Sequence, residues 1–141
     1  VGEGYTDTRI LQKVKEYGLE DQFELCPFTN NVQEHYLSSS IFTMTSAFEG
    51  FGLVLVEAES MGLPLVSYAC PCGPRDIITE GKDGFLVEPG DQKTFAARLR
   101  TLIEDEDLRQ MGQAAKLNSE RFSLDNVMKQ WEALFAELTA K

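Results

Sequence analysis

The sequence is poor in the residues that most often announce a chemistry on their own. It has one His, one Trp and three Cys among 141 residues. The cysteines, Cys26, Cys70 and Cys72, are odd in number, and the close pair is C-x-C rather than C-x-x-C. Neither a zinc site nor a thioredoxin-type motif is supported by that spacing, and no metal is expected. His35 lies in a polar, helix-like stretch and reads as an ordinary surface or core residue. Positive charge is also scarce: 13 Lys and Arg stand against 23 Asp and Glu, a formal charge of −10. That is the wrong sign for a partner whose phosphates must be neutralised, so nucleic acid is not an expected ligand. No apolar run approaches the roughly 20 residues that span a bilayer, and no secretory signal is visible. The expectation is a soluble, cytoplasmic protein. The acidic run Glu104-Asp105-Glu106-Asp107 reads as a solvated face or a helix N-terminus. Gly2-Glu3-Gly4-Tyr5-Thr6-Asp7 lacks the third glycine of a dinucleotide fingerprint and is weak evidence for NAD.

What is present fits one domain over residues 1–141, long enough to bury about two-thirds of its unfolded surface without a metal or disulfide. Val1-Gly2-Glu3-Gly4 reads as the end of a strand and the turn after it, with no initiator Met. The sequence is therefore expected to be an excised piece that begins after a strand. Such a piece leaves a sheet edge open, and pairing or swapping with a second copy is expected.

Residues 5–88 alternate helix-like and strand-like segments. Ile10, Val14 and Tyr17 recur at i, i+4 and i+7, with Thr6 or Asp7 as a cap and Gly18 past the end, which marks an amphipathic helix. A short strand is expected at Phe23-Glu24-Leu25, a short helix at about 32–37 and a strand at Ile41-Phe42-Thr43-Met44-Thr45. Residues 53–61 are apolar nearly throughout, end at Gly62-Leu63-Pro64 and lead into the strand Leu65-Val66-Ser67-Tyr68. Cys70-Pro71-Cys72-Gly73-Pro74 opens another short helix near 75–79, and Lys82-Asp83-Gly84 turns into Phe85-Leu86-Val87. Short strands separated by helices imply a Rossmann-like parallel sheet with helices on both faces. A helical tail occupies about 91–141. Its two apolar stripes, Phe95, Leu99, Leu102 and Ile103, then Val127, Trp131, Leu134, Phe135 and Leu138, are expected to pack in a core.

In such a sheet, ligands bind beyond the carboxyl ends of the strands. Residues 46–52 fall in one of those loops. Gly50 and Gly52 remove two Cβ atoms just before a helix, so the N–H groups of about residues 50–53 can approach an anion or polar oxygen closely. Glu49 begins this cradle. Glu57 interrupts Leu53-Val54-Leu55-Val56, a helix apolar enough to be mostly buried, and a buried carboxylate needs a partner. The two cis hydroxyls of a ribose would suit it. On spacing alone, an equally good reading has Glu57 facing solvent or pairing with a lysine. Arg75, after the Gly-Pro loop, can reach a phosphate or form a surface ion pair with Asp76 or Glu80.

Glu49-Gly50-Phe51-Gly52-Leu53-Val54-Leu55-Val56-Glu57-Ala58, followed by Met61-Gly62-Leu63-Pro64-Leu65-Val66, resembles the Glu-x7-Glu signature of glycosyltransferase family 4, retaining enzymes of the GT-B fold. Cys72-Gly73-Pro74-Arg75-Asp76-Ile77-Ile78 resembles that family's Gly-Gly-x-x-Glu loop, although Cys72 stands for its first Gly and Asp76 for its Glu. The resemblance runs along the whole chain and implies the C-terminal, donor-binding domain of a GT-B enzyme, truncated at its N-terminal side. It implies that Glu49 is catalytic, touching the donor sugar near the anomeric centre. It implies too that Gly50, Phe51, Gly52 and Leu53, with Gly73 and Arg75, hold sugar hydroxyls and diphosphate, and that Glu57 binds the nucleotide's ribose. The donor would be a UDP- or GDP-sugar, with no separate cofactor. The family's Arg-x4-Lys pair and its N-terminal domain, which binds a glycan or lipid-linked acceptor, lie outside this sequence. The piece alone is expected to be inactive, and the parent to work in glycan biosynthesis in the cytoplasm or at the inner face of the membrane. Two other readings stay open: a non-catalytic nucleotide-sugar-binding or assembly module, and, more weakly, a Rossmann dehydrogenase.

Overall fold

The computed structural model describes residues 8–104 and 108–140. The chain forms two compact units, Val1–His35 and Tyr36–Lys141. In the first, helix α1 (Thr8–Glu16) ends as the sequence predicts. Gly18 N–H bonds to Lys15 O and Leu19 N–H to Val14 O, at 3.1 and 3.0 Å, the paired bonds that close a helix at a left-handed glycine. Val14 is its buried residue, while Ile10 and Tyr17 remain exposed. The predicted N-cap, Thr6 or Asp7, lies outside the described residues, as do Val1 to Gly4 and the 105–107 part of the acidic run.

The strand expected at Phe23-Glu24-Leu25 does not form. An extended segment needs a neighbour for its N–H and C=O groups, and the described strands pair only with one another. Pro27, two residues on, removes a donor from any continuation. The short helix α2 (Val32–Ser38) follows, with Tyr36 buried.

The second unit is built on a three-stranded sheet in the order β1-β2-β3, parallel throughout: β1 (Phe42–Met44), β2 (Leu65–Tyr68) and β3 (Gly84–Val87). Phe42 aligns with Leu65, and Leu65 with Gly84. Between the strands lie α3 (Leu53–Ser60) and α4 (Pro74–Ile77). After them come α5 (Gln92–Glu104), α6 (Leu108–Ser119), a 3-10 turn (Glu120–Phe122) and α7 (Leu124–Thr139). Asp91 starts α5 by accepting from Thr94 N–H at 3.0 Å, and Ser123 starts α7 by accepting from Asn126 N–H at 3.4 Å.

Strand alternation sorts the core into two faces. Val66, Phe85 and Val87 gather Leu102 of α5, with Phe95, Tyr68 and Ile41 packed around them. Leu65, Ser67 and Met44 point the other way, toward α3, which packs in turn on α6. Helices therefore cover both faces, as the alternating pattern requires.

One apolar stripe of the tail does not behave as predicted, and the other does except at Ile103, which is exposed. In α5 Leu102 is fully buried and Phe95 packs on the core cluster. In α7, by contrast, Trp131, Leu134, Phe135 and Leu138 are 50%, 43%, 57% and 60% exposed, and no residue of the helix is buried. Helical periodicity fixes which residues share a face but not whether the described chain has anything to cover it. Leu102→Ala should lower the unfolding free energy by about 2–5 kcal/mol, while Ile103→Ala, one position on and 67% exposed, should stay within about 0.5 kcal/mol in urea titrations.

Candidate functional site

Because the three strands are parallel, their carboxyl ends share one edge, and the loops leaving it are 45–52, 69–73 and 88–91. Glu49, Gly50, Phe51 and Gly52 lie on the first. Gly73 lies on the second and Arg75 just beyond it on α4.

Gly52 is the residue before α3 and has φ 87° and ψ 48°, the left-handed region that an L side chain resists. It offers α3 no side-chain cap, and while Leu55 N–H bonds to Gly52 O at 2.9 Å, the N–H groups before it have no cap and are left for water or a ligand. Gly50 faces open space: a Cβ built there meets nothing within 4 Å. Glu49 is half-buried and Phe51 is 38% exposed.

The first two loops touch backbone to backbone. A Cβ on Gly73, whose φ is 91°, would lie 1.6 Å from the Phe51 carbonyl oxygen. Only glycine fits. The sequence signal for this contact was the Gly-Pro pair opening α4; the partner, Phe51, was not foreseeable from spacing.

Of the two readings of Glu57 the exposed one holds, though its partner is not a lysine, and the buried carboxylate of α3 is Glu59. Leu53 and Val54 are 66% and 40% exposed, and Glu57 is exposed with them. The buried face is Leu55, Ala58 and Glu59, at i, i+3 and i+4, and Glu59 is 0% exposed. Glu57 is nevertheless not free in solvent, since its Oε2 accepts the Tyr36 hydroxyl at 2.9 Å. Burial, and then this bond to a carboxylate, push the Tyr36 phenol upward from its usual value.

Glu59 belongs to a buried polar cluster that sequence reasoning missed. Asn118 of α6 donates through one amide nitrogen to Glu59 Oε1 at 3.0 Å and to Ile77 O at 2.7 Å. Arg121 donates to Asp76 O and to Ile77 O, the latter at 2.8 Å. These two side chains thus satisfy the last carbonyls of α4. Asp83 is fully buried; its Oδ1 accepts from Thr79 N–H at 2.7 Å, while Oδ2 has no partner among the described residues. The next residue in this segment, Phe122, meets Phe51 edge-on with ring centroids 5.6 Å apart, and the Arg121 guanidinium lies 4.2 Å from the Phe122 ring centre. One short segment, 118–122, therefore braces both site loops. The available signal was the phase of α3, which puts residue 59 on the face of Leu55 and Ala58.

Arg75 pairs with Glu88, on the third loop, at 2.6 Å, rather than with Asp76 or Glu80. Glu80 instead takes Arg98 at 3.3 Å and Leu86 N–H at 2.6 Å. The Arg75–Glu88 pair is exposed, so it is a weak tie.

The profile of the glycosyl transferases group 1 family matches residues 1–118. The chain belongs to that family. It is 36% identical over 132 residues to the amylovoran biosynthesis glycosyltransferase AmsD of Erwinia amylovora, which covers 93% of this chain and 37% of AmsD. It is 37% identical over 142 residues to an exopolysaccharide phosphotransferase of Streptomyces coelicolor, covering 99% of this chain and 15% of that protein. Among solved structures, HepE of Anabaena in complex with UDP-glucose superposes with a TM-score of 0.81 at 26% identity, over 92% of this chain and 36% of that one. The group 1 chain thus spans little more than a third of AmsD, and its α/β architecture is that of GT-B glycosyltransferases. Among its described residues no helix is long and apolar enough to cross a membrane.

Burial lifts the Glu59 carboxyl from 4.5 to about 7, with the Asp83 charge adding to the rise while Asn118 and Arg121 oppose it. The folded chain therefore keeps a proton that the unfolded chain has already released, and stability falls as pH rises from about 4.5 to 7. Burial raises Asp83 in the same direction. Glu59→Gln removes the Glu59 part of this dependence. Denaturant titrations should find the variant more stable than the parent sequence by up to about 3 kcal/mol at pH 8, with the gap closing toward pH 5. A gap independent of pH would contradict the assignment.

Proposed function

We propose that this chain is the donor-binding half of a longer, retaining glycosyltransferase of family 4, which moves a sugar from a nucleoside diphosphate to an acceptor hydroxyl. The observation that carries the reading is the uncapped start of α3 behind Gly50 and Gly52, held against the Gly73 loop at the carboxyl edge of a parallel sheet. A ligand there meets backbone N–H groups and the positive end of a helix dipole, worth roughly half an elementary charge. A diphosphate suits that environment. HepE, solved with UDP-glucose, supports the choice of a nucleotide sugar.

In this reading the N–H groups from Gly50 to Leu53, with the backbone at Gly73, hold sugar hydroxyls and diphosphate. Arg75 exchanges its weak tie to Glu88 for a phosphate oxygen. Glu57 accepts from the ribose. As the bond from the anomeric carbon to the diphosphate breaks, negative charge grows on the leaving group and positive charge on the sugar ring. The helix start and Arg75 stabilise the first, and the Glu49 carboxylate stabilises the second. Retention follows when the acceptor oxygen bonds to the anomeric carbon on the face the diphosphate leaves and its proton passes to the departing diphosphate oxygen. The acceptor, a glycan or lipid-linked hydroxyl, is bound outside this chain. No separate cofactor is needed. The work is done in the cytoplasm, at or near the membrane's inner face.

Calorimetry of the full-length protein against UDP, GDP and NAD tests the ligand class. UDP or GDP should bind, and NAD binding without either would contradict the proposal. In turnover assays Glu49→Ala should cost about a hundredfold or more in kcat with little change in nucleoside diphosphate affinity. Unchanged kcat, or donor binding with neither hydrolysis nor transfer in the parent protein, would favour a non-catalytic binding module.

A further inference from the structure

Tyr36 is placed unusually for a tyrosine on a short, polar helix. Its side chain is 5% exposed, and its ring meets Phe42 of β1 edge-on, with centroids 5.8 Å apart. Phe42 lies two residues before the end of the strand that feeds the 45–52 loop. A buried phenol hydroxyl needs an acceptor, because leaving it unpaired costs about 1–3 kcal/mol. The acceptor it finds, at 2.9 Å, is Oε2 of the exposed Glu57, 21 positions along the chain. An exposed glutamate ordinarily samples several rotamers. Here a rigid donor, fixed by packing at its ring, holds one oxygen and limits the carboxylate to orientations that keep the bond.

We infer that Tyr36 is a positioning residue for the donor site: its hydroxyl fixes the Glu57 carboxylate through Oε2 and thereby presents Oε1 to a ligand hydroxyl. The inference rests on the reading of Glu57 as the ribose contact and adds the residue that pre-orients it. Pre-orientation matters because freezing a rotamer-rich side chain at binding costs about 0.5–1.5 kcal/mol. A carboxylate already held has that cost met in the free protein. Alternative roles for the pair are narrower. Tyr36 makes the bond to a carboxylate on an exposed face rather than to a backbone carbonyl in the core, where a purely structural tyrosine would find its acceptor without fixing a site residue.

Tyr36→Phe is the informative variant, since it keeps the ring against Phe42 and removes only the donor. In the full-length protein, UDP affinity by calorimetry and the KM for the nucleotide sugar should each weaken about five- to tenfold. The kcat at saturation and the melting temperature should stay near those of the parent protein. Glu57→Gln should weaken UDP binding at least as much. Tyr36→Phe added to Glu57→Gln should cost little more, because Tyr36 acts only through Glu57. Substituting 2′-deoxy-UDP for UDP should reproduce the pattern, with the penalty of Tyr36→Phe reduced or gone. If Glu57→Gln weakens UDP binding but Tyr36→Phe does not, or if the two penalties add in full, the positioning role is overturned while the ribose reading stands. If Glu57→Gln itself leaves UDP affinity unchanged, both fall. A fall in melting temperature or kcat with KM unmoved would mark Tyr36 as a packing residue and also overturn the proposal.

Discussion

A side chain of any size at position 73 would occupy the space of the Phe51 carbonyl. This contact between two backbones is the constraint on which the rest of the site depends. It fixes the loop after β1 against the loop after β2 without any side chain in between. The left-handed turn at Gly52 then starts α3 immediately behind that contact. The uncapped N–H groups and Gly50, open to solvent, are thereby held at a defined distance from α4 and Arg75. Were either loop free to move by an ångström, the cradle would have to be ordered by its ligand at the moment of binding, with a corresponding loss of affinity.

Support for that contact comes from the rear. Asn118 and Arg121 tie the last carbonyls of α4, and Phe122 packs on Phe51. Asn118 also donates to Glu59, which α3 turns inward with Leu55 and Ala58, and the Arg121 charge lies near it. A carboxylate buried there is costly on its own, and a hydrophobic residue of similar size would serve packing better. Its presence couples α3, α4 and α6 through one polar cluster, so that the helix carrying Glu57 and the loop carrying Gly73 are joined on both sides. Tyr36 adds a third tie, from α2 to the outer face of α3.

The order of strands and helices in the second unit was legible because turn residues and apolar runs alternate cleanly from Ile41 to Val87. The position proposed for the site rests on parallel strands and on the two glycines before α3. Four things were not legible, each for a physical reason. Residues 23–25 have strand-like composition, but a strand exists only where a neighbour completes its hydrogen bonds. The α7 stripe has the spacing of a core helix, and spacing does not reveal whether a covering surface is there. Whether Glu57 is buried stayed open, and Glu59 went unnoticed, because 53–56 is apolar on every side. Only the helical phase, anchored by Leu55 and Ala58, separates the exposed carboxylate from the buried one. The partners that braced the loops, Asn118, Arg121 and Phe122, lie more than 40 residues beyond α4's start and carry no local signature. The family resemblance points to residues that would face a donor; the fold shows what holds them there.

The central claim is that the two touching loops form one wall of a nucleotide-sugar site. Backbone hydrogen exchange of the full-length protein, followed by mass spectrometry with and without saturating UDP, tests it most directly. The account predicts slowed exchange in peptides covering both 50–57 and 70–76, because a ligand seated on one loop is held by the other. Protection confined to segments away from the carboxyl edge of the sheet, or none in either loop at saturation, would contradict it.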